Sequence, residues 1–437
     1  MNTLFTNGKL ITFAGAPEVI NNAAVAVKGS SIVFAGKADD PAYKSACSEI
    51  KFDREIDLKG NLILPGFKNC HTHSGMTFLR SAADDMKLDQ WLNKQIFPRE
   101  ALLSEDDIYF ATKLAVMEYL TSGVTEICDM YLTPPSIARA VEETGMRCVQ
   151  CGSLNDFSQT PELLIEWYEN LNKENSLNSF RLGIHAEYTC SEELLKRVAG
   201  ISHDLKAPVY MHMSETAHEV DGCRERHGGL SPVEYLDSLG LFDYGSVFFH
   251  GVHVTDNDID IIKKRNISVV TNPASNAKLA SGIAPIDRYL KEGITLGIGT
   301  DGPASNNCLD MFREMFLTTA MAKLRENDAA AVDAADVLKI ACSDGAKAIG
   351  TPECDSLAPG KKADLIVIDL KQPNMQPENN IVKNLVYSGS KQNVIFTMID
   401  GVVRYENGSF NIGEDEEKIY KEVQNIVERI NREISID

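Results

Sequence analysis

The middle of the chain, from about residue 65 to about residue 350, alternates short continuous apolar runs with longer amphipathic segments. Continuous apolar runs are typical of strands buried on both faces, and the amphipathic segments are typical of helices that cover them. Eight runs are predicted strands: Leu62–Phe67, Val124–Met130, Arg147–Leu154, Arg181–Ala186, Pro208–Met213, Ser246–Gly251, Ile267–Asn272 and Thr295–Thr300. The helices predicted between them include Glu105–Thr121, Pro134–Thr144, Glu192–Ser202, Pro232–Leu239 and Pro285–Glu292. Eight such units predict an α/β fold, a closed (β/α)8 barrel of the TIM type over residues 63–356.

Both ends of the chain have short alternating segments separated by Gly and Asn turn signals. Alternation of apolar and polar residues is typical of antiparallel strands with one buried face. The segments are Ala24–Val27, Ser31–Ala35, Ala363–Leu370, Val394–Met398 and Val402–Tyr405. We therefore expect residues 1–62 and 357–410 to form one small composite β-domain of the sandwich type.

The final segment, residues 411–437, has a different pattern. Its apolar residues stand at helical spacing, at Ile419, Val423, Ile426, Val427 and Ile430. This spacing predicts a terminal helix packed on the outside of the protein.

Composition limits the kinds of molecule that the protein is expected to bind. A net charge of -20 argues against nucleic acid, because phosphate binding depends on clustered Lys and Arg. No basic segment followed by an apolar one opens the chain, and no apolar run reaches the ~18 residues of a membrane span. Ten scattered cysteines are typical of free thiols in a reducing compartment. We expect a cytoplasmic protein with a small-molecule substrate; the sequence leaves the oligomeric state open, a homo-oligomer included.

Titratable side chains stand where the predicted barrel strands end. The carboxyl ends of barrel strands meet at one mouth, where the active sites of such barrels lie. Strand 1 ends in His71 and His73, strand 4 in His185, strand 5 in His212 with Glu215, strand 6 in His250 and strand 8 in Asp301. The sequence therefore predicts one site that contains all of them.

The residue types in this set favour a metal centre. His71 and His73 are two positions apart in an extended segment, so both imidazoles point to the same side, into the barrel. His212 adds a third nitrogen and Asp301 an oxygen. This mixed N/O set suits one divalent ion, zinc or alternatively iron, with a position left for water.

Other signals are interpreted as structural. A single His at a strand end more often makes a structural hydrogen bond, and this is our interpretation of His203, His218, His227 and His253. Gly297, Gly299 and Gly302 match a dinucleotide motif but surround Asp301 at a late strand, so we interpret them as a tight turn. Cys148 and Cys151 are interpreted as buried strand thiols. No Pro precedes them and no H-x-E motif lies upstream, which excludes the zinc base deaminases of another architecture.

Several motifs resemble the cytosine and guanine deaminase-like branch of the amidohydrolase superfamily. They are Leu64-Pro-Gly-Phe-Lys-Asn-Cys-His-Thr-His73, Met211-His-Met-Ser-Glu-Thr216, His250-Gly-Val-His253, Asn272-Pro-Ala-Ser-Asn276 and Gly299-Thr-Asp-Gly-Pro-Ala-Ser-Asn306. The likeness runs nearly end to end and is strongest to 5-methylthioadenosine/S-adenosylhomocysteine deaminases.

The resemblance implies roles for residues around the mouth. Trp91, Glu100 and His185 stand where those enzymes hold the nucleoside, with Glu100 on the ribose hydroxyls and His185 on the purine. The family enzyme that accepts homocysteine has an arginine in strand 3 for the amino acid carboxylate, and this chain has Gly152 there. Members with two metals bridge them through a lysine, and neither 121–160 nor 181–190 contains one. The resemblance therefore implies a single metal.

The expected activity is hydrolytic deamination of an aminopurine nucleoside. Glu215 would move protons as general acid and base and touch the substrate, and His250 would orient the attacking water. A free oxygen of Asp301 would accept a proton from that water. Guanine or pterin deamination, triazine dechlorination, cyclic amide hydrolysis and a non-catalytic purine sensor stay open as alternatives.

Overall fold

Eight parallel strands form a sheet in which each strand pairs with the next one along the chain. The structure, a computed structural model, describes residues 1–86 and 88–434. The sheet closes where Thr72 and Asp301 form a parallel bridge, and the N–H of Asp301 donates to the carbonyl of His71 at 3.0 Å. The predicted (β/α)8 barrel is confirmed.

The strands are numbered along the chain. Those of the two chain ends are β1 (Asn2–Leu10), β2 (Ile20–Lys28), β3 (Ser31–Lys37), β4 (Arg54–Asp57), β5 (Leu62–Pro65), β14 (Leu365–Ile368), β15 (Val394–Ile399), β16 (Val402–Glu406) and β17 (Ser409–Phe410). Those of the barrel are β6 (Phe67–Thr72), β7 (Val124–Met130), β8 (Arg147–Cys151), β9 (Asn178–Gly183), β10 (Val209–Met213), β11 (Ser246–His250), β12 (Ser268–Thr271) and β13 (Leu296–Ile298).

The α-helices are numbered in the same way. They are α1 (Pro41–Cys47), α2 (Leu88–Trp91), α3 (Phe97–Glu100), α4 (Glu105–Thr121), α5 (Pro134–Thr144), α6 (Pro161–Leu171), α7 (Glu192–Leu205), α8 (Ala217–Arg226), α9 (Pro232–Ser238), α10 (Asp256–Lys264), α11 (Pro273–Lys278), α12 (Ile286–Lys291), α13 (Met311–Glu326), α14 (Ala334–Lys339), α15 (Gly345–Ala348), α16 (Ile381–Tyr387) and α17 (Glu416–Ile434).

Local signals explain why α4 and α5 have the predicted bounds. Ser104 and Asp107 form a reciprocal capping box at the start of α4. Helix α5 begins with Pro134, and Gly145 ends it in a left-handed conformation with φ of 72°.

The first predicted barrel strand, Leu62–Phe67, was wrong. Its apolar run contains the end of one sheet and the start of another: β5 pairs with β1 and β14, and the barrel begins with β6. Gly66 separates them, and a Cβ there would lie 2.1 Å from Cγ2 of Thr125. The strand predicted at Arg181–Ala186 also lies earlier, as β9.

Two glycines let the last barrel strand approach the first. A Cβ on Gly297 would lie 2.9 Å from Cβ of Cys70, and one on Gly299 would lie 2.8 Å from the backbone N of His71. Only glycine permits this contact. The two glycines therefore serve barrel closure beside Asp301, which itself has φ of 60°.

The chain ends form one nine-stranded sheet in the order β17-β16-β15-β14-β5-β1-β2-β3, with β4 on β1. Phe5 of β1 and Phe396 of β15 meet edge to face at 5.5 Å, although two strands lie between theirs. The sheet must therefore curl over its own apolar face, like a sandwich.

Buried charges connect this sheet to the amino end of the barrel. The Arg147 guanidinium of β8 donates to Asp364, which precedes β14, at 2.6 Å and 3.1 Å. Lys68 of β6 and Glu126 of β7 are both fully buried, 3.6 Å apart.

The terminal helix α17 packs against α4. Ile419, Val423, Ile426 and Ile430 are buried, and Arg429 donates to Asp107 at 2.5 Å. Residues 435–437, included in the predicted segment, lie outside the described residues.

Within residues 1–86 and 88–434, no helix is both long and apolar enough to cross a membrane. The ten cysteines are free, and Cys148 and Cys151 are buried in β8 as expected.

Candidate active site

The site is built on the carboxyl end of β6. His71 lies within this strand and His73 follows it, with ring centroids 4.8 Å apart. His71 is fully buried and stacks on Phe249 of β11 at 3.9 Å. Both imidazoles therefore face the barrel axis, as their spacing predicts.

His212, at the end of β10, completes a group of three imidazoles. Its ring centroid lies 4.9 Å from that of His71 and 5.4 Å from that of His73. Nδ1 of His212 contacts the carbonyl of His185 at 2.8 Å, and Nδ1 of His73 contacts the carbonyl of Met130. A carbonyl only accepts, so Nδ1 carries the proton in both rings and Nε2 is free to bind a metal.

Asp301 brings a carboxylate to the same point from the end of the barrel sheet. Its Oδ1 lies 3.1 Å from Nε2 of His73 and 3.5 Å from Nε2 of His71. Its Oδ2 accepts hydrogen bonds from the hydroxyls of Ser275, at 2.6 Å, and Ser305, at 3.0 Å. The oxygen that we expected to be free is therefore already hydrogen-bonded, and the carboxylate is held in one orientation.

His250 and Glu215 lie beside this group. Nε2 of His250 is 3.8 Å from Oε2 of Glu215, and Oε1 of Glu215 accepts from the Ser281 hydroxyl at 2.9 Å. Nδ1 of His250 contacts Oδ1 of Asn276 at 2.7 Å. Glu215 thus has one anchored oxygen and one that faces the histidines.

Unpaired buried atoms show that the residues fit a metal ion. Both ring nitrogens of His71 and Nε2 of His250 are buried without a hydrogen-bond partner in the described part of the chain. Ligand atoms of His71, His73 and Asp301 lie within 4.8 Å of one another, and so do those of His71, His212 and His250. Nitrogen and carboxylate oxygen donors suit zinc and similar ions.

The electrostatics of His71, His212 and Asp301 agree with this fit, and those of His73 differ. Burial lowers the pKa of His71 to about 3, and burial together with the neighbouring histidines holds the pKa of His212 well below its usual value. Burial opposes a charge on His73, but Asp301 outweighs it and raises the pKa of His73 to about 9. Burial likewise opposes the charge of Asp301, but the adjacent imidazoles of His71 and His73 hold its pKa well below the usual range. Neutral imidazoles and an ionised carboxylate are the forms that bind divalent cations, so a bound cation must displace the proton that Asp301 stabilises on His73.

Three residues predicted to hold substrate lie around this centre in different surroundings. The ring of His185 is 4.9 Å from that of His212, and its Nδ1 is 3.2 Å from the Thr189 hydroxyl. Trp91 is buried, only 6% exposed, at the end of α2. Glu100 ends α3, and burial raises its pKa to about 7 even though the Tyr131 hydroxyl and His73 act to lower it.

Gly152 does not face the mouth. A Cβ on it would lie 2.4 Å from Cδ1 of Leu164 in α6, in the helix layer. Val149 and Cys151 belong to the apolar cluster inside the barrel, so the next inward position is Ser153. Ser153, rather than Gly152, is therefore the residue after β8 that is expected to point into the barrel.

The supporting residues in the segments after β12 and β13 were not identified from the sequence. Ser275, Asn276 and Ser305 fix Asp301 and His250, and Glu314 ties their loops together. Glu314 is fully buried in α13 and accepts from the N–H of Ala274 at 3.0 Å and from Nδ2 of Asn306 at 2.7 Å. The motifs 272–276 and 299–306 drew attention to these segments, but no pattern in them predicted the hydrogen bonds that their side chains make.

The remaining histidines are not among the grouped ligand atoms of this centre. His203 and His218 are exposed, and Nε2 of His253 contacts the carbonyl of Ser281 at 2.7 Å. His227 forms a second titratable cluster with Cys223 and Glu187. The carboxylate of Glu187 is already paired with His227 at 3.0 Å and with Arg226 at 2.6 Å, as in a structural ion pair.

Comparison with known proteins agrees with the geometry. The model of the amidohydrolase family matches residues 62–404. The chain is 37% identical to a 5-methylthioadenosine/S-adenosylhomocysteine deaminase of Thermoanaerobacter pseudethanolicus, over 98% of this chain and 100% of the relative. It is 37% identical to a 5'-deoxyadenosine deaminase of Methanothermobacter thermautotrophicus, over 91% of this chain and 94% of the relative. A zinc-bound adenosine deaminase of Xanthomonas campestris has a similar structure, with a TM-score of 0.92, 30% identity and 98% of each chain covered.

Proposed function

Because the chain belongs to the amidohydrolase family, we propose that it is a metal-dependent deaminase of an aminopurine nucleoside, which yields the inosine-type product and ammonia. The observation that carries this proposal is the position of Glu215. Its Oε2 lies 3.8 Å from Nε2 of His250, beside a group of nitrogen and oxygen ligands. A purely structural metal site has no use for an adjacent acid.

One metal would be held by His71, His73, His212 and Asp301. Zinc suits these ligands, and iron is the alternative. When bound, the metal would supply an activated water at neutral pH. Ser275 and Ser305 would keep Oδ1 of Asp301 directed at the ligand histidines, because both bind the other oxygen.

Glu215 would move the protons. The water oxygen replaces the amino nitrogen on the ring carbon, while one water proton ends on the adjacent ring nitrogen and the other on the departing ammonia. Glu215 would take one proton from the attacking water and pass it to the ring nitrogen as the carbon becomes tetrahedral, while the second water proton goes to the leaving nitrogen. His250 would orient that water through Nε2, since Asn276 occupies its Nδ1.

Two unpaired polar atoms support a nucleoside rather than a free base. Oε1 of Glu100 and the hydroxyl of Tyr131 are buried without a well-formed hydrogen bond to any residue that the structure describes. Buried polar atoms of this kind usually find a partner. Ribose hydroxyls would supply it, and His185, beside His212, would contact the purine.

The 5' group of the substrate is proposed to be uncharged. Ser153 occupies the inward position after β8 and offers a hydroxyl rather than a cation to a carboxylate. Methylthioadenosine, 5'-deoxyadenosine and adenosine are therefore expected to react faster than S-adenosylhomocysteine.

The test is release of ammonia by the zinc-loaded protein from these four nucleosides, from guanine and from a pterin, with chloride release from a chlorotriazine measured in parallel. The matched control is Glu215→Gln, which keeps the size of the side chain. We expect this variant to retain its metal and to lose about 100-fold or more in kcat.

Preferential turnover of guanine or the triazine would contradict the nucleoside assignment. Full activity of Glu215→Gln would contradict the proton-transfer role. A wild-type protein that binds purines without turnover would be a sensor instead.

A further inference from the structure

The turn that carries Glu215 has an unusual backbone. Ser214, the residue before it, has φ of 51°. The left-handed region is unfavourable for a non-glycine residue, so such a conformation persists only where its surroundings impose it. The reason for this turn must therefore lie in its contacts.

One carboxylate binds both amides of the turn. Oε1 of Glu219 accepts from the N–H of Ser214 at 2.8 Å, and Oε2 accepts from the N–H of Glu215 at 2.8 Å. Successive backbone N–H groups that converge on one anion form a concave binding site for it. Glu219 is itself buried, 7% exposed, in the first turn of α8.

The other side of the turn is held by the loop that follows His250. The carbonyl of Ser214 accepts from the N–H of Val252 at 3.1 Å and from the N–H of His253 at 2.9 Å. The peptide groups around Ser214 are therefore fixed from two directions. Their orientation sets the direction in which the Glu215 side chain leaves the backbone.

From these contacts we infer that Glu219 is a positioning residue: its carboxylate holds the left-handed Ser214 turn and thereby directs Glu215 toward His250 and the reacting ring nitrogen. Glu219 touches neither substrate nor metal ligands in this role. It acts only through the backbone of its two partners.

A first-turn helix acid usually serves its own helix, and here that task belongs to another residue. The Thr216 hydroxyl caps α8 by accepting from the N–H of Glu219 at 3.1 Å. The carboxylate of Glu219 reaches back beyond the cap to the two amides before it. Its contacts thus serve the site and not the helix end.

The inference rests on the proposed deaminase function. One readout of its test, hydrogen exchange of the amides of Ser214 and Glu215, does not depend on that function. Two variants remove the acceptor oxygens of Glu219 in steps. Glu219→Gln keeps one acceptor oxygen, and Glu219→Met keeps the length of the side chain but has no acceptor oxygen. Val220→Ala is the control, because Val220 is the next residue of α8 and equally buried, at 4%. Each variant is assayed for kcat, KM, bound metal, thermal unfolding and hydrogen exchange of the amides of Ser214 and Glu215.

We expect kcat to fall about tenfold in Glu219→Gln and about 100-fold in Glu219→Met, because Gln leaves one of the two backbone N–H groups without its acceptor and Met leaves both. KM should change less than about threefold, since Glu219 touches no substrate, and metal content should stay at the wild-type level. The two amides should exchange faster in Glu219→Met, and Val220→Ala should lose stability but keep kcat.

The inference is overturned if folded, metal-loaded Glu219→Met keeps wild-type kcat, or if Val220→Ala loses as much. A fall in kcat that follows loss of metal would also overturn it. Unchanged exchange at Ser214 and Glu215 in Glu219→Met overturns it whatever the activity. If the wild type releases no ammonia from any nucleoside, the proposed function fails, and the exchange rates alone decide whether Glu219 holds the turn.

Discussion

Nδ1 of His250 donates a hydrogen bond to Oδ1 of Asn276 at 2.7 Å. This contact joins the end of β11 to the helix α11, and it fixes the proton of the imidazole on Nδ1. Nε2 is left buried and unpaired within the described residues, directed toward Glu215. A histidine whose second nitrogen is fixed in this way has a defined tautomer and ring orientation.

Replacement of Asn276 should therefore impair His250 without removing it. In Asn276→Leu the acceptor is lost at similar volume, and we expect kcat to fall about tenfold or more. Asn276→Asp keeps an acceptor for Nδ1 and should stay closer to the wild type. Steady-state ammonia release by the two metal-loaded variants is the measurement; equal activity of Asn276→Leu and the wild type would contradict the assignment.

The pKa of Glu100 predicts a pH dependence of substrate binding. Burial raises this pKa to about 7, against the lowering effects of Tyr131 and His73. A carboxyl group accepts ribose hydroxyls best when ionised, so KM should fall about tenfold as the pH rises from about 6 to about 8. Glu100→Gln should bind more weakly and lack this component of the pH profile. The same slope in both proteins would refute the role.

The raised pKa of Glu100 also predicts how the free energy of unfolding depends on pH. The folded protein keeps the proton on Glu100 up to about pH 7, whereas the unfolded chain releases it near its ordinary value of 4.5. The contribution of this group to the free energy of unfolding is therefore full below about pH 4.5 and is lost as the pH rises toward about 7. Urea titrations should show that the free energy of unfolding of the wild type falls relative to that of Glu100→Gln as the pH rises across this range.

Metal retention should depend on two serines that touch no metal. The hydroxyls of Ser275 and Ser305 hold Oδ2 of Asp301, so their joint replacement by alanine frees the carboxylate to rotate. We expect zinc affinity to fall about 10- to 100-fold in the double variant. Competition with a chelator, followed by metal analysis, measures this. Each single variant keeps one hydroxyl and serves as the control.

The parts of the site that the sequence predicted are those with a distinctive residue type at a strand end. His71, His73, His212, His250 and Asp301 could be assigned because barrel strands converge at one mouth, whatever the details of their loops. Ser275, Asn276 and Ser305 could not be, because small polar residues are common in loops and only their contacts distinguish them. Glu219 looks like an ordinary first-turn helix acid until its two backbone partners are known.

The fold was predictable for a similar reason, with one informative error. Period and length predicted eight buried strands, but the first of these, the apolar run Leu62–Phe67, belongs to two sheets. Hydrophobicity does not report the partner of a strand. Only the close approach of Gly66 to Thr125 marks the point at which the chain leaves one sheet for the other.

Buried charges at the amino end of the barrel predict a large stability effect without a catalytic one. Lys68 and Glu126 are paired across β6 and β7, both fully buried, with Nζ of Lys68 also 3.1 Å from the Thr125 hydroxyl. Neither oxygen of Glu126 has a hydrogen-bond partner in the part of the chain that is described. Removal of the lysine alone leaves a buried carboxylate that has lost its closest cation.

Lys68→Met should therefore reduce the free energy of unfolding by about 3–5 kcal/mol, whereas Lys68→Met with Glu126→Gln should recover much of the loss, because no unpaired charge remains. Urea unfolding of the three proteins gives the comparison. Since Lys68 lies near the start of β6 and the site lies at its end, the folded fraction of each variant should keep the wild-type kcat. A double variant no more stable than Lys68→Met would show that the cost comes from packing rather than from the uncompensated charge of Glu126.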